Sequence, residues 1–114
     1  ATLGDPLADL GYTLRAWPEI DDDPFLEPTA PTAVSGLPLR GELAQRYSER
    51  TGFPVDLLDY YVGFNHWKTA AILHGVYARY LAGQKSSEGV DLEALKDGIL
   101  KGLAGTERAI LRLQ

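Results

Sequence analysis

The sequence contains no cysteine and no methionine. Without cysteine, the chain can form neither a disulfide nor a thiolate metal site. Its two histidines, His66 and His74, are too few for a closed metal site, so none is predicted. The net charge is −5 and lysine and arginine form no run, which argues against binding to a nucleic-acid backbone.

A signal peptide and a membrane-spanning segment are also missing from the sequence. The most apolar stretch, Asp56 to Ala82, is interrupted near its middle by polar side chains that are costly inside a bilayer. These are Asn65, His66, Lys68 and His74. We therefore expect a cytoplasmic protein without a membrane partner. Because methionine is missing even at position 1, we also expect the chain to be a piece of a longer protein.

Apolar residues recur at helical spacing in four segments, and proline and glycine separate the segments. The predicted helices run from Leu7 to about Trp17, from Leu37 to Gly52, from Asp56 to Ala82 and from Val90 to about Leu113. Asp5 is the predicted N-cap of the first helix, and Asp56 is that of the third. Gly11 predicts the close approach of another backbone, and Gly105 predicts a kink or break in the last helix. No alternating strand pattern of useful length is present, so the predicted fold is all-α.

The third predicted helix is the centre of the expected architecture. It is apolar around most of its circumference, which predicts burial by neighbours on several sides. We expect its aromatic residues to belong mainly to the core. Residues 18–38 are rich in proline and aspartate and predict an irregular surface loop, which Phe25, Leu26 and Val34 would hold against the body.

Three stretches of the sequence resemble a known family: Ala1–Tyr12, Tyr47–Gly52 and Lys68–Gly83. The first looks like the segment that follows the metal-binding motif in kinase-like enzymes of the aminoglycoside phosphotransferase type. All three are similar to the branch related to kinase domains fused to acyl-CoA dehydrogenases. The resemblance implies that residues 1–114 are the C-terminal helical subdomain of an ATP-dependent small-molecule phosphotransferase, a fragment of the C-terminal lobe.

Such enzymes transfer the γ-phosphoryl group of ATP to a hydroxyl group with the help of Mg²⁺. In the family, the phosphate-binding lysine, the catalytic aspartate and the metal-holding aspartate all lie upstream of the position of Ala1. The resemblance therefore implies no catalytic residue and no cofactor in this chain, and it assigns ATP and Mg²⁺ to the intact parent. The expected partners are the missing N-terminal portion and a small-molecule acceptor, which ranges from aminoglycosides to hydroxylated acyl-CoA-like compounds.

The resemblance also suggests supporting residues. It implies that Asp9 binds the backbone of the catalytic loop and that Asp5 belongs to a Gly-Asp-Pro turn. The alternatives are an exposed acid in the first helical turn for Asp9 and a plain N-cap for Asp5.

The third helix carries the candidate acceptor contacts, which are Tyr61, Asn65, His66 and Trp67. They fit a pocket with a few polar groups in apolar walls, if the family pocket lies against this helix. The alternative is a structural role for each of them. For the whole chain, the alternative function is a non-catalytic helical interaction or dimerisation module, in which a second copy covers the face near the first and third helices.

Overall fold

The computed structural model describes residues 3–18, 32 and 34–114, and all regular structure within these ranges is helical. Helix α1 spans Pro6–Leu14, α2 spans Arg40–Thr51, α3 spans Leu58–Leu81 and α4 spans Leu92–Leu113. The predicted all-α class with four main helices is confirmed. Most of the predicted loop at 18–38, including Phe25 and Leu26, lies outside the described residues. Val34 is described and is 61% exposed, so the prediction that it anchors the loop is wrong.

The helix starts differ in how their first amides are satisfied. The carboxylate of Asp5 accepts a hydrogen bond from the Leu7 amide at 3.0 Å, which confirms the predicted N-cap of α1. The predicted cap of α3, Asp56, is wrong, because Leu57 holds the N-cap position and makes no side-chain capping bond. At α4, the Asp91 carboxylate accepts from the Ala94 amide at 3.0 Å.

Helix α1 ends earlier than predicted and helix α2 begins later, and the local backbone accounts for both differences. Helix α1 ends at Leu14, where the Trp17 amide turns back to the Leu14 carbonyl at 2.9 Å. Helix α2 begins at Arg40, not Leu37, because Leu39 has the extended backbone of an N-cap residue. Pro38 also disfavours helical geometry at Leu37, the residue before it.

Glycines end the second and third helices as the sequence predicts. Gly52 closes α2 with a left-handed φ of 77°. After α3, the amides of Gly83 and Gln84 donate to carbonyls of the last turn at 3.1 and 3.0 Å. This pairing is a Schellman ending, in which Gly83 takes the left-handed position with a φ of 71°.

The core forms where α1, α2 and α3 meet. Its buried members are Leu14, Ala44, Leu58 and Val62, and partly buried Leu10, Trp17, Leu43 and Val55 pack against them. Buried Arg40 joins α1 to α2, because its Nη1 donates to the Trp17 carbonyl at 2.9 Å. This bond fixes the end of α1 at the start of α2.

Helices α3 and α4 pack antiparallel along a seam of small residues. A Cβ built on Gly63 would lie 3.0 Å from the Cβ of Ala109, and one on Gly102 would lie 3.2 Å from the Cβ of Ala70. Of the predicted kink or break near Gly105, the break is wrong, since α4 is continuous from Leu92 to Leu113. Gly63 and Gly102 let the backbones of α3 and α4 approach each other, and the glycines of α4 do not break that helix.

Helix α3 is less buried than its composition predicts. Tyr60, Phe64 and Trp67 form one face of α3 and are 57%, 43% and 52% exposed. For this face, the prediction that neighbouring helices surround α3 is wrong. The prediction that its aromatic residues belong mainly to the core is wrong there too. Helices α1 and α4 cover two sides of α3, and no helix among the described residues covers the third. Within the described ranges, no helix has the length and apolar character needed to cross a membrane.

Candidate functional site

The contact between α1 and α3 is closest at Gly11. A Cβ built on Gly11 would lie 2.8 Å from the Cβ of Tyr61 and 2.9 Å from its carbonyl carbon. Only a residue without a side chain fits there, which confirms the predicted close approach of another backbone. The segment Gly4–Tyr12, which carries the family resemblance, is therefore held directly against the long helix.

Asn65 adds polar contacts to the same junction. Its side chain is only 1% exposed, and its amide nitrogen donates to the carbonyl of Ala8 at 3.0 Å and to that of Tyr61 at 2.8 Å. A buried amide satisfied in this way orients one helix on another. The geometry therefore supports the structural alternative for Asn65 over a contact with an acceptor.

A hydrogen bond from the Tyr61 hydroxyl to the Asp5 carboxylate closes the junction at its N-terminal end. The bond stabilises the carboxylate and so lowers the pKa of Asp5 from its ordinary value of 3.8, with help from the Leu7 amide. The same bond raises the pKa of Tyr61 from its ordinary value of 10.0. Asp5 thus caps α1 and also ties it to α3, which a plain N-cap would not do.

Asp9 faces solvent on α1. Its backbone carbonyl accepts a hydrogen bond from the Thr13 hydroxyl at 3.1 Å. This placement fits an acid in the first helical turn, which interacts favourably with the positive end of the helix dipole. The role in holding a catalytic loop would involve residues outside this chain and stays a prediction.

On another side of α3, an apolar groove follows the seam with α4. Its first part encloses about 240 Å³ and is lined by Tyr60, Gly63, Phe64, Trp67, Ile110 and Leu113. Asp59 also lines this part. A second part of about 240 Å³ continues past Trp67 to Ala71, His74, Ile99 and Leu103.

The groove suits an elongated apolar ligand. It follows α3 from Asp59 to His74, a distance of about 22 Å at 1.5 Å per residue. Trp67 lies between the two parts, and its ring centroid is 6.0 Å from that of Phe64. Beneath them, the Thr106 hydroxyl donates to the Gly102 carbonyl at 3.0 Å and reaches the Gly63 carbonyl at 3.4 Å.

His66 lies between the junction and the groove, against α4. A Cβ built on Gly105 would lie 3.0 Å from atoms of the His66 ring, so the glycine makes room for the imidazole. His66 also lines a basic depression of about 280 Å³ between α1, α3 and α4. The other residues that line this basic depression are Arg15, Ala16, Thr69, Leu73, Gly98, Lys101 and Gly102.

The four predicted acceptor contacts therefore do not form one site. Tyr61 and Asn65 bind α1, His66 lines the basic depression, and Trp67 lines the apolar groove. Adjacent residues of a helix point about 100° apart, which separates Asn65, His66 and Trp67. Arg15 and Phe64 were not predicted as site residues, because nothing in their sequence context showed which surfaces α1 and α4 would complete.

No metal centre is formed by the residues that the structure describes. Over these ranges, no three side chains of histidine, cysteine, aspartate or glutamate are close enough to hold an ion together. His74 is exposed and His66 is partly buried against Gly105.

Comparison with curated proteins gives relatives named as members of the acyl-CoA dehydrogenase family. The chain is 38% identical over 90 residues to acyl-CoA dehydrogenase family member 10 of Mus musculus, a match that covers 76% of this chain and 8% of that protein. It is 33% identical over 92 residues to family member 11 of Homo sapiens and 32% identical over 96 residues to family member 11 of Rattus norvegicus. Each of these two matches covers 77% of this chain and 12% of the relative.

The chain thus spans only 8% to 12% of the length of these curated relatives and is homologous to one region of each. No family model matches the sequence, and no solved structure matches it.

Proposed function

We propose that this chain is the helical, acceptor-side part of an ATP-dependent phosphotransferase that acts on a hydroxyl group and belongs to a longer protein. The observation that carries the proposal is the packing of Gly4–Tyr12 against α3. This segment resembles the one behind the metal-binding motif of kinase-like enzymes, and Gly11, Asp5 and Ala8 fix it to the long helix. Phosphoryl transfer depends mainly on positioning and charge neutralisation, so a rigid support behind the metal-binding loop contributes directly to it.

The chain's own residues would position the reacting groups without taking part in bond breaking. ATP and Mg²⁺ would be held by residues upstream of Ala1, as the resemblance implies. Asp5 and Tyr61 would set the direction in which the chain enters α1, and Asn65 would keep α1 from sliding along α3. A shift of about 1 Å at such a support is large enough to slow catalysis a hundredfold.

The acceptor we propose is a hydroxylated acyl thioester. The relatives are named for acyl-CoA chemistry, and the apolar groove offers walls for an acyl chain. Phe64 and Trp67 would contact the chain, since their exposed rings form much of the lining. The apolar lining of the groove is less suited to an aminoglycoside, because such a molecule is polar along its whole length.

Kinetics of the intact protein test this assignment. Replacing Trp67 with alanine removes a large apolar surface from the groove and should raise the KM for an acyl thioester by about tenfold, with the KM for ATP unchanged. Ile72 is 59% exposed on the same helix but does not line either part of the groove, so Ile72→Ala is the matched control. Equal KM values for wild type and Trp67→Ala would reject the groove as the acyl site.

A second candidate function is a non-catalytic interaction module. The observation that favours it is the exposure of large apolar side chains along α3 and α4, which marks protein contacts in many domains. Under this alternative, the intact protein would bind no nucleotide, and the chain alone would form a defined dimer in a solution mass measurement. Nucleotide binding by the intact protein together with a monomeric chain would favour the phosphotransferase.

A further inference from the structure

The basic depression contains a buried donor that no partner satisfies within the described residues. The Nε–H of Arg15 is buried and donates to no hydrogen-bond acceptor among residues 3–18, 32 and 34–114. The Arg15 guanidinium carbon lies over the Tyr12 ring, 4.5 Å from its centroid, and this cation–π contact helps to hold the side chain in place. Buried polar groups are nearly always hydrogen-bonded, so an unsatisfied donor on a side chain that lines the depression calls for an explanation, and a bound ligand would supply one.

The side chains around this donor favour an anion. Arg15 is always charged, Lys101 supplies an ammonium group, and the Thr69 hydroxyl can donate a hydrogen bond. Among the described residues, no carboxylate lines the depression, although the whole chain carries a net charge of −5. Lys101 also pairs with Asp97 at 3.0 Å, but both side chains are partly exposed, and such pairs are weak enough for a doubly charged anion to compete.

Gly98 lies at the floor of the depression, where close packing does not require a glycine. A Cβ built on Gly98 would have one neighbour within 4 Å among the described residues, Leu73 Cδ1 at 3.8 Å, and Leu73 also lines the depression. Glycine inside a helix is less favourable than alanine. Its presence in α4 keeps this floor open at a cost to helix stability.

We propose that the basic depression binds a phosphate-type oxyanion, with Arg15 and Lys101 as the charged contacts and Thr69 as a hydrogen-bonding contact. The planar guanidinium and the ammonium group are the usual donors to phosphate oxygens. The site is separate from the apolar groove. The proposal does not depend on the phosphotransferase function, because binding here requires neither a nucleotide nor an acceptor.

Nuclear magnetic resonance of the ¹⁵N-labelled 114-residue chain tests the proposal. Inorganic phosphate is titrated at constant ionic strength, which sodium chloride maintains. We expect saturable shifts of the Arg15 Nε–H signal and of the Thr69 and Lys101 amides. Shifts that stay linear, or an Arg15 signal that does not move, would overturn the proposal.

Three variants and a control make the test specific. Arg15→Gln and Lys101→Gln should each weaken phosphate binding by about tenfold, because each removes a charge-assisted hydrogen bond. Gly98→Ala should weaken it by about fivefold or more by filling the floor, while it raises the thermal midpoint of the chain. Arg46→Gln on the exposed face of α2 makes the same charge change elsewhere and should alter binding by less than about twofold.

Equal losses in Arg15→Gln and Arg46→Gln would overturn the site, since they would indicate general charge screening. The amide spectrum of each variant reports whether it is folded, so a loss of binding in a folded variant is interpretable. Phenyl phosphate, titrated in parallel, distinguishes the two sources of the anion. Tighter binding of phenyl phosphate assigns the depression to an organic phosphate, and tighter binding of inorganic phosphate assigns it to the free ion; each supports an oxyanion site.

Discussion

Gly11 of α1 lies against Tyr61 of α3 so closely that a Cβ on the glycine would be 2.8 Å from the tyrosine Cβ. Real Cβ atoms do not approach backbone and Cβ atoms at this distance, so the two helices would have to separate to admit one. The contact fixes the spacing of α1 and α3. The hydrogen bonds of Asp5 and Asn65 depend on that spacing.

Gly11→Ala should therefore destabilise the chain, even though alanine favours helices. We expect a loss of about 1–3 kcal/mol in the free energy of unfolding, measured by urea denaturation, because α1 is pushed away from α3. Gly75 offers a matched control in α3, since a Cβ there meets nothing within 4 Å among the described residues. Gly75→Ala should stabilise by about 0.5–1 kcal/mol. Stabilisation by both substitutions would contradict the close approach.

Asn65→Leu tests the buried amide. The substitution keeps a similar volume but removes the donor to the Ala8 and Tyr61 carbonyls, so we expect a loss of about 1–3 kcal/mol for two hydrogen bonds. The measurement is again the free energy of unfolding, with exposed Gln45→Leu on α2 as a control for the same type of change. If Asn65→Leu leaves stability unchanged and instead alters the acceptor KM of the intact protein, Asn65 contacts the acceptor after all.

Tyr61→Phe should change how stability depends on pH. In the wild type, the lowered pKa of Asp5 contributes stability that is fully present above pH 3.8 and is lost as the pH falls through the folded-state value. The raised pKa of Tyr61 contributes stability that is fully present below pH 10.0 and is lost as the pH rises through the folded-state value. Without the hydroxyl, the Tyr61 contribution disappears and the Asp5 contribution falls to the part due to the Leu7 amide, so the pKa of Asp5 moves back toward 3.8.

The measurement for this prediction is the difference in unfolding free energy between wild type and Tyr61→Phe across the pH range. We expect the wild type to be more stable by a constant amount in the middle of the range, with the difference shrinking at both ends. Tyr80→Phe removes a hydroxyl near the far end of α3 and should show no such profile. A difference that does not vary with pH would mean that the Asp5–Tyr61 bond does not form in solution.

The sequence predicts the helices better than it predicts the surfaces between them. The spacing of apolar residues, the Asp5-Pro6 start and the Gly52 and Gly83 ends are local signals, and the structure agrees with each. Gly11 was informative because glycine inside a helix is costly and suggests a packing reason. Its partner, Tyr61, could not be predicted, because the partner depends on how α1 crosses α3.

The candidate site shows the same limit in its polar residues. Asn65 and His66 stand out as polar groups in an apolar helix, but such groups serve ligands and neighbouring helices equally well. Only the position of Ala8 beside Asn65 distinguishes the two roles. Arg15 gave no signal at all, since an arginine at the end of a helix is ordinary until its Nε is found buried.

The most direct measurement is a phosphate-transfer assay on the intact protein that contains this chain. The protein is incubated with Mg²⁺, ATP labelled at the γ-phosphate and a hydroxylated acyl thioester, and label is followed into the acceptor. We predict transfer to the hydroxyl group, slowed at least about a hundredfold by Gly11→Ala through displacement of α1. A folded intact protein that neither binds ATP nor labels any hydroxylated acceptor would contradict the assignment.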